Sequence, residues 1–121
     1  MAERIPALLV ADPENSAKFY AEVFGMTLER GAPEWVLALG SSKVTLVDVA
    51  RADLELGVAA EAGKSAARVM AANIGLVHER ADLHGVVAKK QHLRRTLWGT
   101  DEFTATDPDG NTITFWSVTV T

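Results

Sequence analysis

A chain of 121 residues is long enough for one compact domain, and hydrophobic side chains at 48% supply a sizeable core. The net charge of −4 argues against a nucleic-acid footprint, and no apolar run is long enough to span a membrane. The absence of cysteine excludes disulfides, thiolate metal sites and cysteine nucleophiles. With no secretory signal visible in MAERIPALLV, the expected location is cytoplasmic.

In chain order, residues 5–10 (IPALLV) form a short apolar run expected as a buried strand. Pro6 belongs at its start or edge, because proline cannot donate to a ladder. Asp12 stands at a helix N-cap position and Pro13 at the first helical position. Ala17, Tyr20, Ala21 and Phe24 recur at helical spacing, with Phe19 and Val23 beside them, and Gly25 closes the helix. Residues 26–30, 35–39 and 43–49 read as three further strands, parted by Gly31-Ala32-Pro33 and Gly40-Ser41-Ser42. Residues 51–65, rich in Ala and Gly, read as a linker with one helical turn at 52–56.

The pattern then recurs. Residues 66–72 read as a strand. Asn73 caps a helix carrying Ile74, Val77, Ala81 and either Leu76 or Leu83 on one face, and Gly85 stops it. Residues 86–88 start another strand, and residues 102–106 and 112–118 flank Asp107-Pro108-Asp109-Gly110-Asn111. Pro108 presets φ for the first inner turn position, Asp107 can accept from backbone N–H groups ahead of it, and Gly110 tolerates positive φ. Two β-rich arms on such a turn predict a hairpin.

Strand, helix, strand, strand, strand therefore occurs twice. The expected fold is α+β, a single domain over residues 1–121. One βαβββ module spans 1–50 and a second spans 66–121, joined by the linker 51–65. Each is too small to bury itself alone. Side by side they form a curved mixed sheet with a helix over each half, leaving a concave ligand cleft.

Three stretches carry a family resemblance: VADPENSAKFYAEVFGM (10–26), Leu97-Trp98-Gly99, and FTATDPDGNTITF (103–115). Together they resemble the vicinal oxygen chelate superfamily, which includes glyoxalase I, extradiol dioxygenases and bleomycin resistance proteins. The resemblance implies a divalent metal site on the concave face, with His or Glu ligands from the first and last strands of each module. Those places fall at Ile5 or Pro6, at Thr45, near Ala66 and at Thr114. None is a good ligand, since a divalent ion needs several imidazole or carboxylate donors converging on one point. Nor do the histidines supply a site: His78 and His84 belong to different faces of the second helix, and His92 sits in a polar segment. No metal and no cofactor are therefore expected. The nearest branch is the bleomycin-resistance type, which implies a homodimer that sequesters a drug in clefts and makes or breaks no bond.

Strand alternation assigns faces. With Thr114 on the concave side, Trp116 joins it, and Thr45 and Val47 face the same way, whereas Asp48 faces away. Trp35 shares a face with Leu37 and Leu39 that the sequence does not fix. The chain's three tryptophans offer stacking platforms, worth about 1–3 kcal/mol per stacked ring, against the plainer role of core packing. Trp98, beside Gly99 at the rim, is the strongest contact candidate. The expected ligand-binding set is Trp35, Thr45, Val47, Trp98, Thr114 and Trp116, with no catalytic residue. Lys89, Lys90, His92, Arg94 and Arg95 form a basic run, either solvated surface or a clamp for an anionic group. The expected partner is a bulky, partly aromatic small molecule such as an antibiotic or other natural product, with neither nucleic acid nor membrane. Two alternatives stand: a metal-dependent lyase, isomerase, dioxygenase or thiol transferase using groups such as Glu102, His92 and Asp48, and a ligandless module whose function is its dimer surface.

Overall fold

Each half of the chain folds a helix onto one face of a four-stranded sheet. The computed structural model describes residues 5–51 and 61–119. The first half runs β1 (Ala7–Val10), α1 (Pro13–Phe24), β2 (Thr27–Arg30), β3 (Trp35–Leu39) and β4 (Ser42–Asp48). The second runs β5 (Ala66–Met70), α2 (Ile74–Leu83), β6 (Arg94–Arg95), β7 (Thr100–Thr106) and β8 (Thr112–Val118). Strand order is β1-β4-β3-β2 in one sheet and β5-β8-β7-β6 in the other, so the topology is the same twice. β1 with β4 and β5 with β8 are the parallel pairs, each closed by a helical crossover, and every other pairing is antiparallel. Two βαβββ modules in an α+β fold are what the duplicated pattern predicts. The helical turn expected at 52–56 lies outside the described residues.

The helix ends follow from their caps. Asp12 Oδ1 accepts from Asn15 N at 3.3 Å, Pro13 opens α1, and Gly25 closes it at φ 74°, where a β-carbon would be strained. Asn73 Oδ1 accepts from Leu76 N at the start of α2. The buried stripe of α2 is Ile74, Val77 and Ala81, while both Leu76 and Leu83 face solvent. Thus neither leucine completes the apolar face the periodicity suggested.

The core lies between helices and sheets. Tyr20, Phe24, Phe103 and Phe115 are fully buried, with Phe115 packed 4.9 Å from Phe24 and 5.1 Å from Phe103, centroid to centroid. Burying each such ring stabilises the fold by about 1.5–3 kcal/mol. Phe24 comes from the first half and the other two rings from the second, so the modules share one core.

One strand differs from expectation. Residues 86–88 do not form a regular third strand. Val87 makes an isolated bridge to Ala105, and the paired strand comes later, at Arg94–Arg95. Between them the chain bulges: Gln91 N donates to Ala88 O, Lys90 adopts φ 63°, and Thr104 N reaches Gln91 O. Val86 and Val87 pack against the core, so their apolarity reports burial, while the polar Arg pair completes the ladder.

The two sheets meet at β1 and β5 through side chains, with no backbone ladder between these strands among the described residues. Ser65 Oγ accepts from Leu9 N at 3.0 Å, and Ser42 Oγ accepts from Met70 N at 3.1 Å. The turn at 107–111 adds most of the seam. Asn111 Nδ2 donates to Leu9 O and to Asp107 Oδ2, both at 2.9 Å, while its Oδ1 accepts from Ser65 N at 2.8 Å. Tyr20 Oη on α1 donates to Asp107 Oδ2 at 2.6 Å. Burial first, and then the Asp107 carboxylate, push the Tyr20 hydroxyl far above the ordinary phenol range, so it stays a proton donor. The hairpin turn thus has the predicted local bonds, with Asp107 Oδ1 accepting from the N–H groups of Asp109 and Asn111 and Gly110 at φ 99°. It is also the fastening between the modules.

Candidate functional site

The face of each sheet away from the helices is the candidate binding surface. Alternation sends Ala67, Val69, Phe103, Ala105, Ile113 and Phe115 into the core. It leaves Arg68, Glu102, Thr104, Thr114 and Trp116 on the opposite, open face.

The register of the parallel pairs fixes neighbours that spacing alone does not. Thr45 lies directly beside Ala7, and Thr114 directly beside Arg68. The residues facing the two matching threonines are therefore Ala7 and Arg68. That offset is set by long-range pairing and is not read from spacing.

Arg68 has an unusual partner. Glu102, on β7, is only 2% exposed yet ionisable. Its carboxylate accepts from Arg68 Nη2 at 2.9 Å and Nη1 at 3.4 Å, from Thr100 Oγ1 at 2.7 Å and from Trp98 Nε1 at 3.2 Å. The Arg68 guanidinium, helped by the Thr100 and Trp98 donors, outweighs the cost of burial and lowers the Glu102 pKa to about 2. Glu102 is therefore a permanent anion at neutral pH. It is an acceptor for Trp98 and Arg68 and is poorly suited to act as a general base.

The groups it holds are open to solvent. Trp98 is 71% exposed, and the Arg68 side chain is 56% exposed with its guanidinium carbon 6.0 Å from the Trp116 ring centroid. Thr114 and Thr104 share a hydroxyl hydrogen bond of 2.9 Å on the same face. In the first module, Thr45 and Val36 line an open hollow of about 500 Å³ with Ile5, Glu29, Arg30, Glu34 and Lys43. Val47 follows Thr45 on this face and pairs with Leu9.

Of the six residues expected to line a cleft, the structure brings Trp98, Trp116 and Thr114 together around Arg68 and Glu102, and sets Thr45 and Val47 on the first module's open face. Trp35 stands apart. It pairs with the buried Leu46 and packs against the core, on the helix side of its sheet. Two residues the sequence reading left out of the set, Arg68 and Glu102, organise the second module's face. An arginine at an outward position of an Ala-rich strand was the available signal.

The basic run divides among different surroundings. Arg94 pairs with Glu102 across β6–β7 and so shares the open face. Arg95 binds Asp101. His92 Nδ1 meets His78 Nε2 at 3.3 Å, beside α2. Lys90 occupies the bulge.

A divalent cation does not fit the family's usual place. The expected places, Ile5 or Pro6, Thr45, Ala66 and Thr114, and the register partners Ala7 and Arg68 offer apolar groups, two neutral hydroxyls and a guanidinium. Among the described residues, no three His, Asp or Glu side chains converge on a common point.

Comparison with known proteins places this geometry in context. Residues 5–115 match the family model described as the Glyoxalase/Bleomycin resistance protein/Dioxygenase superfamily. Curated protein sequences give no match. Among solved structures, TioX from Micromonospora sp. ML1 superposes with a TM-score of 0.77 at 18% identity, covering 99% of this chain and 98% of its own. A virulence protein from Salmonella typhimurium gives 0.71 at 22% identity, covering 98% of each chain. A glyoxalase/bleomycin resistance protein/dioxygenase from Nocardioides gives 0.67 at 20%, covering 98% of this chain and 85% of its own. At these identities the likeness concerns the fold.

Proposed function

Because the chain belongs to the glyoxalase/bleomycin resistance protein/dioxygenase superfamily, we propose that it binds a bulky, partly aromatic small molecule reversibly on its open face and protects by sequestration. One observation carries this reading. The indole of Trp98 is 71% exposed, yet its N–H is tied to a buried carboxylate. An exposed ring held in a fixed pose loses little further freedom when a planar ligand stacks on it. Trp116, beside Arg68 on the same face, supports a second wall, and the Thr104–Thr114 pair offers hydroxyls between strands.

The donor set at the family's usual metal place supports binding without an ion. Ligand retention then follows mass action, and protection scales with protein concentration. A homodimer belongs to the same reading, with Leu97, Trp98 and Val118 as exposed apolar groups at the rim for a second copy to enclose. So do a cytoplasmic location and one domain made of modules 1–50 and 66–121.

The test is a tryptophan-fluorescence titration of the purified full chain against DNA-targeting antibiotics, alongside metal analysis of protein prepared without chelator. Saturable quenching that disappears in Trp98→Ala is the expected result. One tightly held nickel, iron, manganese or zinc per chain would overturn the reading and favour a metal-dependent enzyme.

A further inference from the structure

The chain is acidic overall, with a net charge of −4, but the open face of its second module presents cations. Arg68 and Arg94 both lie there, Arg68 beside Thr114 and Arg94 opposite Glu102. Their counter-charge is behind them: Glu102 is buried, and its oxygens are taken up by Arg68, Thr100 and Trp98. A ligand resting on this face meets guanidinium N–H groups and not the carboxylate.

Guanidinium carries more donors than one carboxylate uses, and the Arg68 side chain keeps 56% of its surface open. Arg94 spends one nitrogen on the Glu102 carbonyl oxygen at 3.4 Å and is otherwise exposed. Within the four strands β5, β6, β7 and β8 themselves, the only other carboxylate is Asp101. Alternation turns it to the opposite side, where Arg95 and Thr119 donate to it. On the first module's hollow the charges cancel in pairs, Lys43 with Glu29 and Arg30 with Glu34.

From this placement we infer that the site selects planar aromatics bearing an anionic group such as a carboxylate. The ring stacks at Trp98 and Trp116 while the anion takes the free N–H groups of Arg68, with Arg94 adding attraction. A cationic aromatic would find rings here but, among the described residues of this face, no accessible carboxylate. The inference deepens the sequestration reading and rests on it. Glu102 is then a positioning residue: it fixes the guanidinium against Trp116 and acts on the ligand only through Arg68.

The experiment is isothermal calorimetry on the full chain with three matched probes: 2-naphthoate, 2-naphthamide and 2-naphthyltrimethylammonium. The carboxylate is expected to bind about tenfold or more tighter than the amide, the difference one charge-assisted hydrogen bond gives, and the cation weakest. Raising sodium chloride should weaken the carboxylate and leave the amide unchanged. Arg68→Gln should remove most of the carboxylate's advantage over the amide, leaving the smaller share that Arg94 supplies. Since that change leaves Glu102 buried without its cation, the double variant Arg68→Gln/Glu102→Gln serves as a second probe that removes both charges, and it should show the same loss. Equal affinities in the unaltered protein, or a preference for the cation, would overturn the charge assignment and leave sequestration standing. No binding of any probe, together with no quenching by the antibiotic panel, would remove both.

Discussion

Asp107 and Glu102 are two buried carboxylates on one hairpin, and they do opposite work. Asp107 gathers neutral donors: the Tyr20 hydroxyl, the Asn111 amide and two backbone N–H groups. All but the partly exposed Asp109 N–H are interior, and they tie α1 and the hairpin turn into the seam between modules. Glu102 gathers a guanidinium, a hydroxyl and an indole N–H, and both Arg68 and Trp98 extend into solvent. A buried carboxylate whose donors are also buried makes structure. One whose donors reach the surface arranges a site. The cost of desolvating the charge is met in both, and what differs is the side of the sheet on which the donors lie.

The comparison is broken most severely by Asp107→Ala. It strands the Tyr20 hydroxyl and an Asn111 amide proton inside the protein, at about 1–3 kcal/mol per buried unsatisfied group. A loss of about 3–5 kcal/mol in urea unfolding is expected, without any change in which ligands bind to the molecules that remain folded. Glu102→Gln should cost less, about 1–3 kcal/mol, because Arg68 can rehydrate and glutamine still accepts a hydrogen bond.

The pH dependence sharpens the contrast. The Glu102 carboxyl is held at about 2 in the folded state against an ordinary 4.5. Its folded-state pKa is lowered, so the stability it adds is fully present above about pH 4.5 and is lost as pH falls towards about 2. Denaturation curves of the unaltered protein and Glu102→Gln should therefore converge across that window. Parallel curves would show that the carboxylate is not coupled to folding. The smallest stability effect belongs to Trp98→Ala, about 1 kcal/mol for an exposed ring that gives up one hydrogen bond to Glu102, even though it should abolish ligand-induced quenching.

Much of the fold was legible because it is local. Asp12, Pro13 and Gly25 bound α1 by capping chemistry, and Pro108 and Gly110 make the hairpin turn with no help from distant residues. With Thr114 put on the concave side by the family resemblance, alternation placed Trp116 on the same open face. What spacing could not supply was register and long-range partnership. The offset that puts Arg68 beside Thr114 depends on how β5 slides along β8. Asn111 reads as a turn residue, and nothing nearby in sequence announces Leu9 and Ser65 as its partners. Val86 and Val87 looked like strand because burial and strand share a composition, while the real edge strand is a pair of arginines. Trp35 was ambiguous for the same reason, since its face follows from the pairing with Leu46.

The repeated topology has a consequence for orientation. Two halves built alike would offer an unsymmetrical guest a pair of equivalent poses, one the reverse of the other. Ala7 and Arg68 occupy corresponding places beside Thr45 and Thr114, and they differ by a full positive charge. That inequality breaks the degeneracy: under the proposed binding, a guest with one anionic end would turn that end towards the second half.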